Sequence, residues 1–347
     1  MARKPTGDLR RGWTTGACAT AATKAALIRL WGGAFPDRVA ITLPKGEKPE
    51  FPLALAESGP DWARVGITKD AGDDPDVTHG ALIIATVRAG VGVQFKAGPG
   101  VGTVTKPGLP IGVGEPAINP VPRQLMRDVV AQMAEKFGRS PDIEIEVSIP
   151  DGAEIAQKTW SPRLGIVGGL SILGTTGVVR PFSCAAWIAS IHRGVDVARA
   201  DGQTHVAGCT GATSEKTVQT LCALPDHAML DMGDFAGGML KYLRRHPVAR
   251  VTIGGGIGKM AKLAQGAVDL HSSRTQVDFD ILADWAGDAR VKDANTALEA
   301  YTIAGAPLAA RIAQEARAAA QALVGEQSIV DTVVIDRAGN IIGRAGA

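Results

Sequence analysis

The chain has 347 residues, of which 45% are hydrophobic and 21% charged, a composition typical of a globular protein with room for two domains. Its formal net charge of +2 and its scattered lysines and arginines exclude a basic nucleic-acid-binding stripe. The sequence lacks a secretory signal and the roughly 20 uninterrupted apolar residues of a membrane helix. These features predict a cytoplasmic protein without nucleic-acid or membrane partners.

Residues 1–150 are predicted to form an antiparallel α+β domain that ends near Pro150. An Ala-rich segment predicts a helix over 14–29, and a second helix is predicted over 122–137. Short apolar or alternating runs between glycine, proline and aspartate predict strands. These strands lie at 39–43, 63–69, 81–88, 90–96 and 143–149.

Residues 151–347 are predicted to form an α/β domain with a mostly parallel sheet, because strand and helix patterns alternate there. The predicted strands lie at 164–167, 204–207, 229–230 and 248–253, with a terminal hairpin at 332–336 and 340–344. The predicted helices lie at 183–198, 214–223, 235–245, 258–270, 278–286 and 307–323.

A Pro-rich ribbon, defined here as residues 104–123, contains five prolines and three glycines. Each proline fixes its own φ and favours an extended residue before it, which predicts a stiff, winding segment. Long loops that are stiff and chemically varied usually carry function; an extended surface connector is the alternative. The candidate ligand-binding residues of the ribbon are Lys106, Glu115, Asn119 and Arg123.

Two Thr-Thr-Gly turns are predicted to open helices: Thr14-Thr15-Gly16 and Thr175-Thr176-Gly177. Unpaired N–H groups at a helix start, together with threonine hydroxyls, form a site for a carboxylate or phosphate. Ordinary capping, with Thr14 or Thr15 as the N-cap, is the alternative of equal weight. Arg180 follows the second turn and can add a bidentate contact with a carboxylate.

A cluster of aspartates at residues 70–76 superficially resembles the start of a calcium loop. The glutamate and glycine that complete such a loop are missing, which argues against calcium. Dense like charge can raise a carboxylate pKa, and this makes Asp73 or Asp74 a candidate for proton transfer. A surface Asx-turn is the alternative. The cysteines and histidines show no zinc-site spacing, so we expect no metal held by the protein.

A glycine-rich turn at residues 254–258 follows an apolar run and opens a predicted helix. The pattern Gly256-x-Gly258-x-x-Ala261 is a weak dinucleotide-type signal, in which glycine lets the backbone approach a nucleoside. A plain strand-to-helix turn is the alternative. His271 is predicted at the end of the following helix, where it can face the same cleft. The candidate cofactor-binding residues are therefore Gly254, Gly256, Gly258 and His271.

In five segments, the residues and their order along the chain resemble those of the CbiD family of cobalamin-pathway methyltransferases. They include Arg10-Arg11-Gly12-Trp13-Thr14-Thr15-Gly16, the Pro-rich ribbon, and the stretch from Gly168 to Arg180. The five segments lie at 9–18, 69–78, 104–123, 162–181 and 257–263. Because they follow one another over most of the chain, the resemblance covers both predicted domains.

The resemblance implies S-adenosylmethionine-dependent methylation of C1 of cobalt-precorrin-5B, giving cobalt-precorrin-6A. Asp73 or Asp74 would then remove a proton, and the glycine-rich turn and His271 would bind the cofactor. The anionic cobalt-tetrapyrrole would be recognised through its acetate and propionate groups. The residues expected to bind it are Thr14, Thr15, Gly16, Lys106, Glu115, Asn119, Arg123, Thr175, Thr176, Gly177 and Arg180.

Several alternatives remain open at the level of sequence. The same reaction on a metal-free precorrin and a non-catalytic tetrapyrrole-binding protein both fit these motifs. A small-molecule kinase fits less well, because Met260 stands where a phosphate loop requires serine or threonine. A homo-oligomer and transient hand-over to other enzymes of the cobalamin pathway are both compatible with the chain.

Overall fold

The computed structural model describes residues 8–346 as two compact units, one extending to Ser183 and the other beginning at Cys184. This division differs from the boundary predicted near Pro150. Short strands that follow Pro150 pair with strands of the N-terminal unit, for example Gly169 with Gly100 and Val179 with Gly12. Backbone hydrogen bonding therefore assigns the segment after Pro150 to the N-terminal unit.

The N-terminal unit contains three helices and thirteen strands among its described residues. The helices are α1 (Thr15–Leu30), α2 (Pro120–Phe137) and α3 (Gly152–Ala156). The first strands are β1 (Gly12–Trp13), β2 (Arg38–Ala40), β3 (Glu50–Pro52), β4 (Leu55–Ser58), β5 (Trp62–Thr68), β6 (Leu82–Ala89) and β7 (Val93–Ala97). They are followed by β8 (Gly100–Val101), β9 (Thr103–Val104), β10 (Ile143–Ser148), β11 (Ile166–Val167), β12 (Gly169–Leu170) and β13 (Val178–Val179).

The main sheet of this unit has the order β4-β5-β6-β10-β7 and is antiparallel except between β10 and β7. The α1 helix is buried along most of its length, because its alanines and threonines let it pack closely against β5 and β6. Its buried Thr20 and Thr23 hydroxyls donate to the carbonyls of Gly16 and Ala19 at 2.8 Å, which satisfies them inside the core. The predicted antiparallel α+β class is confirmed.

The C-terminal unit alternates strands and helices. Its strands are β14 (His205–Cys209), β15 (Met229–Leu230), β16 (Arg250–Gly256), β17 (Ile329–Ile335) and β18 (Ile341–Ala345). Its helices are α4 (Cys184–Ala200), α5 (Ala212–Cys222), α6 (Ala236–Arg245), α7 (Ile257–Ala264), α8 (Phe279–Ala286), α9 (Ala297–Ala304) and α10 (Ala306–Val324). Short 3₁₀ turns cover Asp226–Ala228 and Ala289–Asp293.

The sheet of the C-terminal unit has the order β15-β14-β16-β17-β18, in which the first four strands are parallel and β18 is antiparallel. The predicted α/β class and the terminal hairpin are confirmed. The α7 helix ends at Ala264 rather than at the predicted residue 270, and Gly266 adopts a φ of +86° just beyond it. The α9 helix, capped by the Thr296 hydroxyl, was not predicted.

Among residues 8–346, no helix combines the length and the apolar character needed to cross a membrane. The same residues contain no cluster of three or more histidine, cysteine, aspartate or glutamate side chains arranged to hold a metal ion.

Candidate functional site

The ribbon folds as an ordered loop with its own small apolar cluster. Val104, Ile111 and Ala117 are buried together with Ile166 of β11. Val104 also pairs with Ile166 in a short antiparallel ladder. The Thr105 N–H and hydroxyl both donate to the Gly165 carbonyl, each at 2.7 Å. These contacts fix the shape of the ribbon, because both its apolar side chains and its backbone have partners.

Arg123 holds the end of the ribbon in place. Its guanidinium donates to the carbonyls of Ile118 at 2.8 Å and Pro116 at 3.0 Å, and pairs with Glu115 at 2.7 Å. Its side chain is only 17% exposed and lies over the ring of Phe95. These contacts give Arg123 a positioning role in place of the direct ligand contact predicted from the sequence.

Asn119 and Lys106 also contact the segment that supports the ribbon. The Asn119 backbone N–H and side-chain amide both donate to the Ile172 carbonyl, at 2.9 and 3.1 Å. The aliphatic part of Lys106 lies against Gly165, where an added Cβ would be 2.6 Å from the lysine side chain. Glu115 is the only exposed residue of the four predicted ligand-binding residues of the ribbon.

The first Thr-Thr-Gly turn is closed by a distant part of the chain. Thr14 caps α1 by accepting the Ala17 N–H at 3.2 Å, as predicted. The Gly16 N–H donates to the Leu173 carbonyl at 2.9 Å, and the Thr15 hydroxyl accepts the Leu173 N–H at 3.0 Å. All three turn residues are buried, so this geometry does not support their direct contact with a ligand.

The second Thr-Thr-Gly turn does not open a helix, and that prediction is wrong. The Thr176 hydroxyl accepts the Val178 N–H at 3.3 Å, which directs the chain into β13. Gly177 has a φ of +79°, and an added Cβ would be 2.5 Å from Leu43, so this position needs glycine for structural reasons. Thr175 is exposed, and the next helix begins only at Cys184.

Arg180 lies just beyond β13. Its side chain is exposed and makes no hydrogen bond or ion pair with any residue between 8 and 346. Of the cationic residues proposed from sequence, Arg180 is therefore the one whose guanidinium remains available for an anion.

The aspartate cluster at residues 70–76, called the aspartate loop below, is hydrogen-bonded to two other segments through their backbone N–H groups. Asp73 accepts the Arg10 N–H at 2.7 Å, and the Asp73 N–H donates to the Arg10 carbonyl at 3.0 Å. Asp74 accepts the Phe182 N–H at 2.8 Å. Each carboxylate uses one oxygen in this way, so both have structural roles, and the other oxygen of each makes no hydrogen bond within residues 8–346.

The resolved pKa shifts in this loop, at Asp70 and Asp76, are downward. The hydrogen bond from the Arg10 guanidinium lowers the pKa of Asp70 to about 2. Burial of Asp76 opposes its ionisation, but the buried Lys69 ammonium at 2.7 Å and the Thr78 donors outweigh burial and lower its pKa. The cations Arg10 and Lys69 thus compensate the clustered charge.

In the C-terminal unit, two loops flank a point where the strand order reverses. The chain leaves β14 and returns as β15 on one side, and later returns as β16 on the other side of β14. In open α/β sheets, ligands bind outside the carboxyl ends of the strands at such a switch point. The turn at Thr210 and Gly211 follows β14, and the turn at 256–258 follows β16, with the Thr210 N–H donating to the Gly254 carbonyl at 3.0 Å.

The glycines of these two turns serve different purposes. An added Cβ at Gly254 would be 2.5 Å from Val218, so close packing requires glycine there. Gly211 and Gly256 have neither a left-handed φ nor any atom within 4 Å of an added Cβ, and at Gly258 the nearest atom is 3.9 Å away. Neither the fold nor its packing requires glycine at these three positions, which leaves their backbone open to a ligand.

His271 lies in a turn after α7 and not at the end of that helix, which corrects its predicted placement. Its ring Nδ1 contacts the Ser273 N–H at 3.2 Å and the Ser273 hydroxyl at 2.7 Å. The Lys259 ammonium donates a hydrogen bond to the carbonyl of Leu270, the residue before His271, at 3.0 Å. This bond holds the segment next to His271 beside the first turn of α7.

Comparison with known proteins identifies the family. The CbiD family profile matches residues 2–181, and the profile of the CbiD C-terminal domain matches residues 269–346. The chain belongs to the CbiD family.

Similar proteins in this family share a name that states an enzymatic activity. Proteins named cobalt-precorrin-5B C(1)-methyltransferase are 61% identical in Paramagnetospirillum magneticum and 60% identical in Brucella anthropi, with 97% of this chain covered in both cases and 98% and 96% of the relatives. The protein of that name from Rhodospirillum rubrum is 58% identical, with 98% of each chain covered. The predicted enzyme class, a methyltransferase, is confirmed.

A solved CbiD structure is also similar to the chain. The cobalamin biosynthesis protein (cbiD) from Archaeoglobus fulgidus is 26% identical, with 83% of each chain covered and a TM-score of 0.42.

Sequence reasoning missed two residues at the switch point of this CbiD-family chain. Gly211 opens the turn after β14, and Asp231 directly follows β15. An acidic residue about 20 positions after the glycine turn is where dinucleotide-binding folds hold a ribose hydroxyl. The interval from Gly211 to Asp231 is the available signal, but the turn carries too few glycines to match the motif.

Proposed function

We propose that the chain transfers a methyl group from S-adenosylmethionine to C1 of cobalt-precorrin-5B, giving cobalt-precorrin-6A. The observation that carries this proposal is the name shared by relatives that are 61% and 60% identical over 97% of the chain. The two units supply separate features that support it, a ligand-accessible glycine crevice and an exposed arginine.

The switch point of the C-terminal unit fits an adenosyl cofactor. The open backbone at Gly211, Gly256 and Gly258 can approach a nucleoside closely, since no side chain fills that space. Asp231 stands where a carboxylate can accept ribose hydroxyls. When bound, the cofactor supplies an electrophilic methyl group on its sulfonium. The contribution of these residues is to fix the position of that group and to exclude water.

The N-terminal unit offers recognition of the macrocycle. Arg180 is exposed and has no partner among the described residues, which suits a charge-assisted hydrogen bond to an acetate or propionate group. The ribbon is the second proposed contact surface. Arg123 and Asn119 hold it in shape through the carbonyls of Ile118 and Ile172, so that Glu115 and Lys106 are presented from a fixed backbone.

Asp73 is the proposed proton acceptor. It is exposed, and one of its carboxylate oxygens makes no hydrogen bond among residues 8–346. Asp74 is less exposed and is assigned to positioning the Phe182 backbone. A protein nucleophile is not required, because the macrocycle carbon attacks the methyl group. The thiols of Cys18 and Cys209 fit this view, since burial raises the pKa of both to about 12.

The experiment is an anaerobic incubation of the full chain with cobalt-precorrin-5B and S-adenosylmethionine, followed by mass spectrometry. In-line methyl transfer adds one methyl group, about 14 mass units, to the macrocycle. A parallel incubation with the metal-free precorrin tests the alternative substrate. Binding of the macrocycle without any methylated product would overturn the proposal and favour a tetrapyrrole carrier.

A further inference from the structure

Arg11 and Arg180 lie on either strand directly beyond the last pair of a short antiparallel ladder. The β1 and β13 strands pair in antiparallel register, Trp13 with Val178 and Gly12 with Val179. The next pair in this register is Arg11 with Arg180. The ladder stops there because Pro181 has no N–H to continue it.

When the register is extended by one pair, it places these two residues opposite each other. The Thr14 N–H donates to the Gly177 carbonyl at 3.0 Å, and hydrogen-bonded pairs recur at every second position of an antiparallel ladder. Arg11 and Arg180 therefore fall at a non-hydrogen-bonded position, where facing residues lie closest. Like charges placed directly opposite each other in this way are destabilising.

No ion pair within the described residues offsets this repulsion. Both arginines are exposed, and neither forms an ion pair or side-chain hydrogen bond within the part of the chain that the structure describes. Of the neighbouring carboxylates, Asp70 pairs with Arg10, whereas Asp73 and Asp74 accept the backbone N–H groups of Arg10 and Phe182 and form no ion pair with Arg11 or Arg180. Arg10, the immediate neighbour of Arg11, is thus neutralised, whereas the facing pair is not.

We propose that Arg11 and Arg180 together form a site for one carboxylate group of the substrate. Two guanidinium groups can each donate paired N–H bonds to a carboxylate, and the bound anion removes their mutual repulsion. This inference rests on the proposed function for the identity of the substrate, whose acetate and propionate side chains carry such groups. It adds Arg11 to the recognition residues proposed for the macrocycle.

The first test needs no catalysis and uses citrate as a carboxylate probe. The full-length protein and its Arg11→Gln and Arg180→Gln variants are titrated with citrate at low ionic strength, and thermal unfolding is followed. Each substitution is expected to weaken the apparent citrate affinity about tenfold. Without citrate, each is expected to raise the melting temperature, because it removes the repulsion.

The matched control is Arg64→Gln. Arg64 is also a strand arginine of this unit, but it is half-buried and its guanidinium pairs with Glu57. Its substitution is expected to leave the citrate response unchanged, which separates site binding from the general stabilisation that citrate gives. Arg11→Lys and Arg180→Lys are expected to restore part of the affinity, since a lysine keeps the charge but not the paired donors.

The second test measures steady-state methylation of cobalt-precorrin-5B. Both glutamine variants are expected to raise KM about tenfold with kcat changed less than about twofold, because the site binds ground state and transition state alike. A citrate response in Arg11→Gln equal to that of the unmodified protein would contradict the proposal that Arg11 and Arg180 form one carboxylate site. If unmodified protein forms no methylated product but citrate binding depends on both arginines, the proposed function fails and the carboxylate site stands.

Discussion

The carboxylate of Asp74 accepts the backbone N–H of Phe182 at 2.8 Å across 108 residues of sequence. Phe182 has a φ of +55°, which an L-residue adopts only when the surroundings enforce it. The bond joins the aspartate loop to the segment that carries Arg180. Asp74 therefore fixes the chain next to the proposed anion site.

This role of Asp74 predicts different effects for two substitutions. Asp74→Ala leaves the Phe182 N–H without its partner and is expected to lower the free energy of unfolding by about 1–3 kcal/mol. Asp74→Asn keeps an oxygen acceptor in place and is expected to change it by less than about 0.5 kcal/mol. Urea unfolding of both variants measures the difference. Equal stability of the two would mean that the hydrogen bond contributes nothing.

For Asp73, the expected effect is on the chemical step. Asp73→Asn preserves the acceptor for the Arg10 N–H but cannot take up a proton, so the single-turnover rate is expected to fall on the order of a hundredfold. Asp74→Asn serves as the control and is expected to keep most of the rate. Near-normal rates in both variants would remove the loop from proton transfer and leave methyl transfer to positioning alone.

Local sequence patterns predict most of the helices and strands, but not the partners of the candidate residues. The alternating sequence of β10 predicts its alternating burial correctly, because a strand repeats every two residues. The closure of the first Thr-Thr-Gly turn depends on Leu173, which lies 158 residues from Thr15. Capping chemistry alone cannot distinguish a turn closed by protein from one open to a ligand.

The sequence is equally ambiguous about which arginine side chains are available to bind an anion. In the sequence, Arg123 and Arg180 look equally suited to bind an anion. The structure gives Arg123 two carbonyls and Glu115, whereas Arg180 has no partner among the described residues. The difference arises because the ribbon folds back onto the start of α2, which no local pattern encodes.

The role of Arg123 predicts a loss of order in the ribbon. Arg123→Ala removes two hydrogen bonds to carbonyls and the Glu115 ion pair, and it is expected to destabilise the fold by about 1.5–3 kcal/mol. Amide hydrogen exchange of residues 104–119 is expected to accelerate. Arg127→Ala is the control, since Arg127 lies over the same Phe95 ring but has no bond to the ribbon. Unchanged ribbon exchange in Arg123→Ala would contradict this role.

The aspartate loop makes stability depend on acid pH. The Arg10 guanidinium lowers the folded-state pKa of Asp70 to about 2, well below the usual value of an aspartate, and the folded-state pKa of Asp76 is also lowered. Their stabilisation is therefore fully present above the unfolded-state pKa and is lost as pH falls through the folded-state pKa. We expect the free energy of unfolding to decline between about pH 4 and pH 2.

Urea unfolding at a series of pH values measures this decline. Asp70→Asn is expected to flatten it, because the variant has no carboxylate to protonate, although solvent screening of the exposed Arg10 pair limits the size of the effect. Asp37→Asn, at an exposed aspartate outside the loop, is the control. An unaltered acid slope in Asp70→Asn would show that the ion pair is not coupled to folding.

The two kinds of glycine at the switch point provide a matched test of the cofactor site. Gly254→Ala places a Cβ 2.5 Å from Val218, and this overpacking is expected to destabilise the fold by about 1–3 kcal/mol. Gly256→Ala meets no atom within 4 Å and has a φ of −65°, so its stability is expected to be unchanged or slightly higher.

For cofactor affinity, we expect Gly256→Ala to have the larger effect and Gly254→Ala the smaller one, the reverse of their order for stability. The alanine methyl group at 256 occupies space that a nucleoside would fill, so the affinity for S-adenosylhomocysteine is expected to fall at least about tenfold in calorimetric titration. Gly254→Ala, as far as it remains folded, is expected to lose less affinity because its Cβ points into the packed interior. Unaltered binding by a fully folded Gly256→Ala would remove the glycine turn from the cofactor site.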